Sequence, residues 1–183
     1  MSTLRELTAK EHEIAENTLF MRLLMGKGLK PTEYLQYLAQ LELIYSALEF
    51  VAAREGIMDE FKEISRVSKI REDIEELSVT TKSRAELCWQ TIAYHNQIVR
   101  MTDRKEILAH FYVRFAGDMY GGQMLKSLVP STGRMYDFGD NLPTLRQKMR
   151  EISTPDLADY AKDAFARTTD VVNDIMKVGS LYP

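Results

Sequence analysis

An all-α fold follows from three features of this chain. Apolar residues recur at helical spacing along most of its length, strand-like alternation is nearly absent, and Gly or Pro marks several boundaries between periodic stretches. With 183 residues it is long enough for one domain with a sizeable core. No repeat, low-complexity tract or linker divides it, so a single domain over 1–183 is expected, a bundle of about seven helices. Short connections make sequence neighbours spatial neighbours.

The first helix is expected from Thr3 to Leu24, with Leu4, Leu7, Ile14 and Leu19 on its apolar stripe and Gly26-Lys27-Gly28 as its stop. Pro31 opens the second at its first turn, where a missing N–H does no harm. That helix carries Tyr34, Leu38, Leu41, Tyr45 and Leu48 and ends before Gly56. A third covers Arg66 to Leu77, and Ser78–Thr81 reads as a break. Ser83 with Glu86 and Asp103 with Glu106 have capping-box spacing, which starts a fourth helix running to Met101 and a fifth running to Leu128, where Pro130 follows. Ser131 to Asp140 reads as a loop, Leu145 to Ile152 as a short helix, and Asp156 to Lys177 as the last helix.

Composition narrows the class. Hydrophobic residues make up 45% and charged residues 28%, with a formal net charge of −3 and a pI near 5.7. A nucleic-acid partner normally leaves a strong basic bias, which is missing. The N-terminus MSTLRELTAKEHEIAE has no apolar signal core, and no run approaches the ~20 apolar residues that cross a bilayer. The last stretch, Val178 to Pro183, is too short for an anchor. The lone Cys88, beside Trp89, reads as a buried thiol in a reducing compartment. A cytoplasmic protein with no membrane partner is expected.

Two segments carry chemistry. On a wheel of ~100° per residue, His12 lies at the edge of the first helix's stripe, beside the small residues Thr8 and Ala15. Arg5 lies two turns earlier on nearly the same line, and Glu16 one turn later. Such a histidine either makes an ordinary hydrogen bond or ligates a metal, with the nearby carboxylate orienting its second nitrogen. The other segment is His110-Phe-Tyr-Val-Arg-Phe-Ala-Gly-Asp-Met-Tyr-Gly-Gly-Gln-Met124. Gly117, Gly121 and Gly122 sit inside a helical pattern, where three glycines forfeit roughly 3 kcal/mol relative to alanine. Net stability is typically about 5–15 kcal/mol, so something must offset that loss. Gly117 and Gly121 share a face with His110 and Arg114, and their bare backbone suits either a close-packed helix or a flat ligand. Asp118 favours the ligand, because a carboxylate beside bare backbone can hold a water network. His95 and His110 read as core or surface residues, and no histidine has the Glu-x-x-His spacing of a carboxylate di-iron site.

Glu11-His-Glu-Ile-Ala-Glu-Asn17, with Leu19–Arg22 and Ile44–Glu49, resembles the proximal region of heme oxygenases. Tyr112-Val-Arg-Phe-Ala-Gly-Asp-Met-Tyr-Gly-Gly-Gln-Met-Leu-Lys126 resembles their distal helix, and weaker similarity covers nearly the whole chain. The resemblance implies an all-α bundle holding heme b, both cofactor and substrate, between the first helix and a kinked distal helix. His12 would be the iron ligand and Glu16 its second partner. Gly117 and Gly121 would flank the distal face, and Asp118 would organise water above it. Tyr112 and Arg114 would line or brace the pocket, Arg5 and Arg146 would meet the propionates, and Phe165 would form a wall. Two positions depart from the family pattern. Tyr120 stands where serine is usual, and Ala9 stands where a basic residue is common, which shifts propionate anchoring onto Arg5 and Arg146.

The implied reaction uses dioxygen and external electrons to open the ring to biliverdin, carbon monoxide and ferrous iron. No flavin or nicotinamide fingerprint is present, so resemblance to soluble bacterial, algal or phage members points to reduced ferredoxin or a similar donor, with a bilin reductase downstream. A heme-binding or heme-trafficking protein without turnover, on the same scaffold, is the competing reading.

Overall fold

The computed structural model describes residues 2–179. Residues 180–183, part of the stretch expected to be no anchor, lie outside that range. Eleven α-helices occur among the described residues: α1 (Leu4–Leu7), α2 (Ala9–Glu16), α3 (Leu19–Met25), α4 (Pro31–Arg54), α5 (Ile57–Glu60), α6 (Val67–Thr81), α7 (Trp89–Arg100), α8 (Arg104–Tyr120), α9 (Gly122–Leu125), α10 (Leu142–Ile152) and α11 (Ala158–Gly179). None is long and apolar enough to cross a membrane. Helix α4 is central: twelve of its 24 residues are buried, too many for a single amphipathic stripe. It packs against α5, α6, α7, α8 and α11.

The expected first helix is three helices. Thr8 closes α1 and opens α2, its hydroxyl donating to the Leu4 carbonyl at 2.9 Å. Thr18 caps α3 from extended backbone, its Oγ1 accepting from Met21 N. Short polar side chains offered the backbone local partners, and that interrupted a continuous apolar period. The stripe is also corrected: Leu4 is buried, but Leu7, Ile14 and Leu19 are exposed. Periodicity identifies an apolar face without saying what covers it.

Other boundaries moved for similar reasons. Helix α6 runs through the expected break because Thr80 and Thr81 donate to carbonyls one turn back, and Lys82 ends it in left-handed backbone at φ 54°. Ser83 caps nothing: residues 83–88 have no regular secondary structure and are held by Gln36 and Gln40 of α4 through the backbone of Glu86 and Cys88. Cys88 is buried as expected, though outside a helix, and burial pushes its thiol up to about 11. The start of α7 is instead supported by Asp174, which accepts from Gln90 N at 3.2 Å. Asp103 does cap α8, accepting from Lys105 N at 2.8 Å. Helix α10 begins three residues earlier than expected, with Pro143 in its first turn.

Residues 131–140 are tied down by buried charge. Asp73 accepts from the backbone N–H groups of Arg134 and Met135 at 3.1 and 3.0 Å. Arg66, stacked on Phe138, donates to the carbonyls of Ile64, Ser65 and Met135. This sets Tyr136 against the end of the α8–α9 segment.

Candidate functional site

His12 stands on α2, a helix with no buried residue. Its Nδ1 lies 3.4 Å from Oε2 of Glu16, the i,i+4 neighbour, and its side chain is 50% exposed. The ring meets Phe165 of α11 edge-on, centroids 5.6 Å apart. With Nδ1 facing a carboxylate, the other ring nitrogen is left for a ligand. Among the described residues no group of three His, Cys, Asp or Glu side chains forms a metal cage.

The glycine helix changes surroundings along one face. His110 and Arg114 are buried where α11 covers α8, whereas Gly117 and Gly121, farther along that face, are exposed. Arg114 reaches Thr168 of α11 at 3.5 Å. Phe165 and Thr168 are i,i+3 neighbours, so His12 and Arg114 rest on the same strip of α11.

The three glycines do different work. A Cβ on Gly117 would meet nothing within 4 Å. One on Gly122 would fall 2.3 Å from the Tyr136 ring, so that glycine serves packing. At Gly121 the helix breaks: its N–H still donates to Gly117 O at 2.9 Å, but the next turn tightens, with Met124 N bonding Gly121 O at 3.1 Å. The continuous helix expected to Leu128 is therefore interrupted at Gly121, between α8 and α9.

Asp118 points inward. Its carboxylate accepts from the Tyr45 hydroxyl, which also lies 3.3 Å from the Arg114 carbonyl. Burial raises the Asp118 pKa, opposed by the charge of Arg114, the Tyr45 hydrogen bond and the charge of Arg66. Burial works against the Arg114 cation, but Tyr45, Tyr37 and Asp118 hold it well above its usual range. Its guanidinium lies 5.4 Å from the Tyr45 ring centroid, and its buried Nε has no hydrogen-bond partner.

Tyr112 is half-buried; burial raises its hydroxyl pKa, with Tyr120 adding to the shift and Arg5 opposing it, so Arg5 and Tyr112 share one neighbourhood. Arg146 donates from Nε to the Met119 carbonyl at 3.0 Å and lies over the Tyr120 ring, 5.0 Å from its centroid. It braces the end of α8. His95 is half-buried, while His110 is fully buried with Nδ1 2.8 Å from the Tyr94 hydroxyl.

Sequence reasoning missed Tyr45, and with it Tyr37, as neighbours of Asp118 and Arg114. Its spacing places Tyr45 on the apolar stripe of α4. Its hydroxyl was the signal, since a buried Tyr O–H needs a partner.

Fold and site together define an all-helical protein that presents one half-open imidazole and one bare length of backbone, both supported by the same helix. The sequence model of the family described as Heme oxygenase matches residues 1–174, and the chain belongs to that family. Heme oxygenase 1 of Synechocystis sp. is 26% identical over 200 residues, covering 95% of this chain and 83% of the relative. Heme oxygenase 2 of the same organism is 31% identical over 173 residues, covering 81% and 66%. The enzyme of Rhodella violacea is 30% identical over 136 residues, covering 70% and 58%, so the match spans less than two thirds of these last two relatives. The crystal structure of Synechocystis heme oxygenase-1 superimposes with a TM-score of 0.82 at 23% identity, over 97% of this chain and 94% of the other, and shows the shared fold.

Proposed function

We propose that this chain opens heme b to biliverdin, with release of carbon monoxide and ferrous iron. The observation that carries the reading is that His12 and Arg114 meet one strip of α11, through Phe165 and Thr168, while Gly117, one turn beyond Arg114, leaves open space above bare backbone. That two-sided arrangement fits a flat macrocycle bound through its metal. The solved Synechocystis relative is a heme complex, which supports the same ligand here.

His12 would hold the iron, with Glu16 fixing the ring's tautomer through Nδ1. Phe165 and Tyr112 would wall the pocket. Gly117 and Gly121 would let backbone approach the distal face. Asp118 would hold water there and exchange protons with it, and burial supports that role by raising the carboxyl toward the working pH. Tyr45 and Arg114 keep the carboxylate aimed. Arg5 and Arg146 would receive the two propionates. The heme, once bound, supplies the oxygen chemistry, and the protein supplies orientation and protons. Electrons would come from reduced ferredoxin in the cytoplasm, with a bilin reductase taking the product.

The test is aerobic turnover of the hemin-loaded chain with reduced ferredoxin, the pigment being identified by chromatography. Loss of the Soret band with appearance of biliverdin is expected. A Soret band that persists after reduction in air would assign the chain to heme binding or trafficking without turnover.

A further inference from the structure

The break between α8 and α9 at Gly121 is held from two sides. On the inner side Tyr136 fills the space beside Gly122, and its carbonyl accepts from Gln123 Nε2 at 2.9 Å. On the outer side lies Tyr120, an exposed aromatic. Its hydroxyl donates to the Arg146 carbonyl at 3.3 Å, and Arg150 Nη1 reaches that hydroxyl at 3.4 Å. Arg146 returns the contact: its guanidinium lies over the Tyr120 ring and donates to the Met119 carbonyl through both Nε and Nη2. Backbone and side chain of Arg146 thus each engage the last turn of α8, one as acceptor and one as donor. A planar, two-pronged cation suits this arrangement and an ammonium does not.

We infer that Tyr120 and Arg146 form a latch that pins the end of α8 to α10 and sets how readily the backbone at Gly121 opens. Serine at 120 has no ring for the guanidinium and cannot reach α10, so the latch belongs to this chain's tyrosine. Tyr120 is a positioning residue: it acts through Arg146 on the Met119 carbonyl and the break at Gly121. The consequence for ligand exchange rests on the heme reading above; the latch itself does not.

Backbone amide exchange of the ligand-free chain tests it, read by mass spectrometry in peptides covering 117–125 and, as a folding control, in α4. Tyr120→Ser should raise exchange at 119–125 about tenfold with α4 unchanged, since the ring–guanidinium contact and both hydrogen bonds of the hydroxyl, one of them from the Arg150 cation, are lost. Tyr120→Phe keeps the stacked ring and should lie between. Arg146→Lys removes the stacked guanidinium and its two-pronged bond to Met119 but keeps the backbone carbonyl that Tyr120 reaches, so it should also raise exchange at 119–125, and the double variant should fall short of the two single effects combined, because the ring–guanidinium contact is lost only once. Hemin loaded onto the folded Tyr120→Ser and Tyr120→Phe variants should also leave faster for a globin acceptor. Unchanged exchange at 119–125 in Tyr120→Ser, or additive effects in the double variant, overturns the latch. If Tyr120→Ser loosens α4 as well, Tyr120→Phe decides: faster exchange confined to 119–125 supports the latch, and wild-type exchange overturns it. Failure to take up hemin would instead count against the proposed function and leave the exchange result intact.

Discussion

Tyr45 and Arg114 surround Asp118 with a donor and a cation inside a buried pocket, so its protonation responds to each of them separately. Asp118→Asn keeps the side chain's shape but removes the proton-carrying group. It should leave hemin binding intact and reduce biliverdin formation by about 100-fold or more, the usual span of a general acid–base contribution. Turnover at the wild-type rate would reject that role. Tyr45→Phe removes a hydrogen bond that favours the ionised carboxylate, so the pH–rate limb belonging to Asp118 should move to higher pH; a limb that stays in place would show that another group governs it. On the opposite side, His12→Ala should lose the histidine-ligated Soret spectrum, and added imidazole should restore it. An unaltered spectrum without imidazole would exclude His12 as the ligand.

The glycines of the α8–α9 segment separate ligand space from packing space at the level of the element. Gly117→Ala adds a methyl where nothing lies within 4 Å, so the ligand-free chain should gain up to about 1 kcal/mol from helix propensity while hemin affinity falls. Gly122→Ala drives its Cβ into the Tyr136 ring and should destabilise the chain by about 1–3 kcal/mol. Denaturant unfolding and hemin titration of the two variants check both signs, and equal behaviour would remove the distinction. This contrast also marks what could be read from the sequence. Three costly glycines in a helical pattern announced a special backbone, but only tertiary structure assigns each its neighbour. Likewise the apolar run from Leu4 to Leu19 was legible as helical, whereas its breaks at Thr8 and Thr18 depend on local hydroxyl contacts, and Ser83 lost its expected cap to Gln36 and Gln40, which lie more than forty residues away. His12 and the Gly117–Asp118 pair were legible because their chemistry is concentrated in short motifs. Tyr45 was not, since a tyrosine on an apolar stripe looks like any other core aromatic until its hydroxyl finds Asp118.

Across the molecule, His110 links acid sensitivity to the contact between α7, α8 and α11. Its imidazole is fully buried against Tyr94, and burial pulls its pKa from the ordinary 6.5 down to about 4, with Asp163 opposing that shift and Arg167 adding to it. The unfolded chain therefore binds a proton at His110 between pH 6.5 and 4 that the folded chain refuses. The associated stability is fully present above pH 6.5 and is lost as pH falls toward 4, since unfolding takes up the proton. By linkage, this one group should cost about 2 kcal/mol between pH 7.5 and 5, a sizeable part of a domain's net stability. Urea unfolding across that range should show the decline in the wild-type chain and a markedly flatter profile in His110→Gln, compared as slopes because the substitution itself disturbs the Tyr94 contact. Parallel slopes would place the acid sensitivity elsewhere.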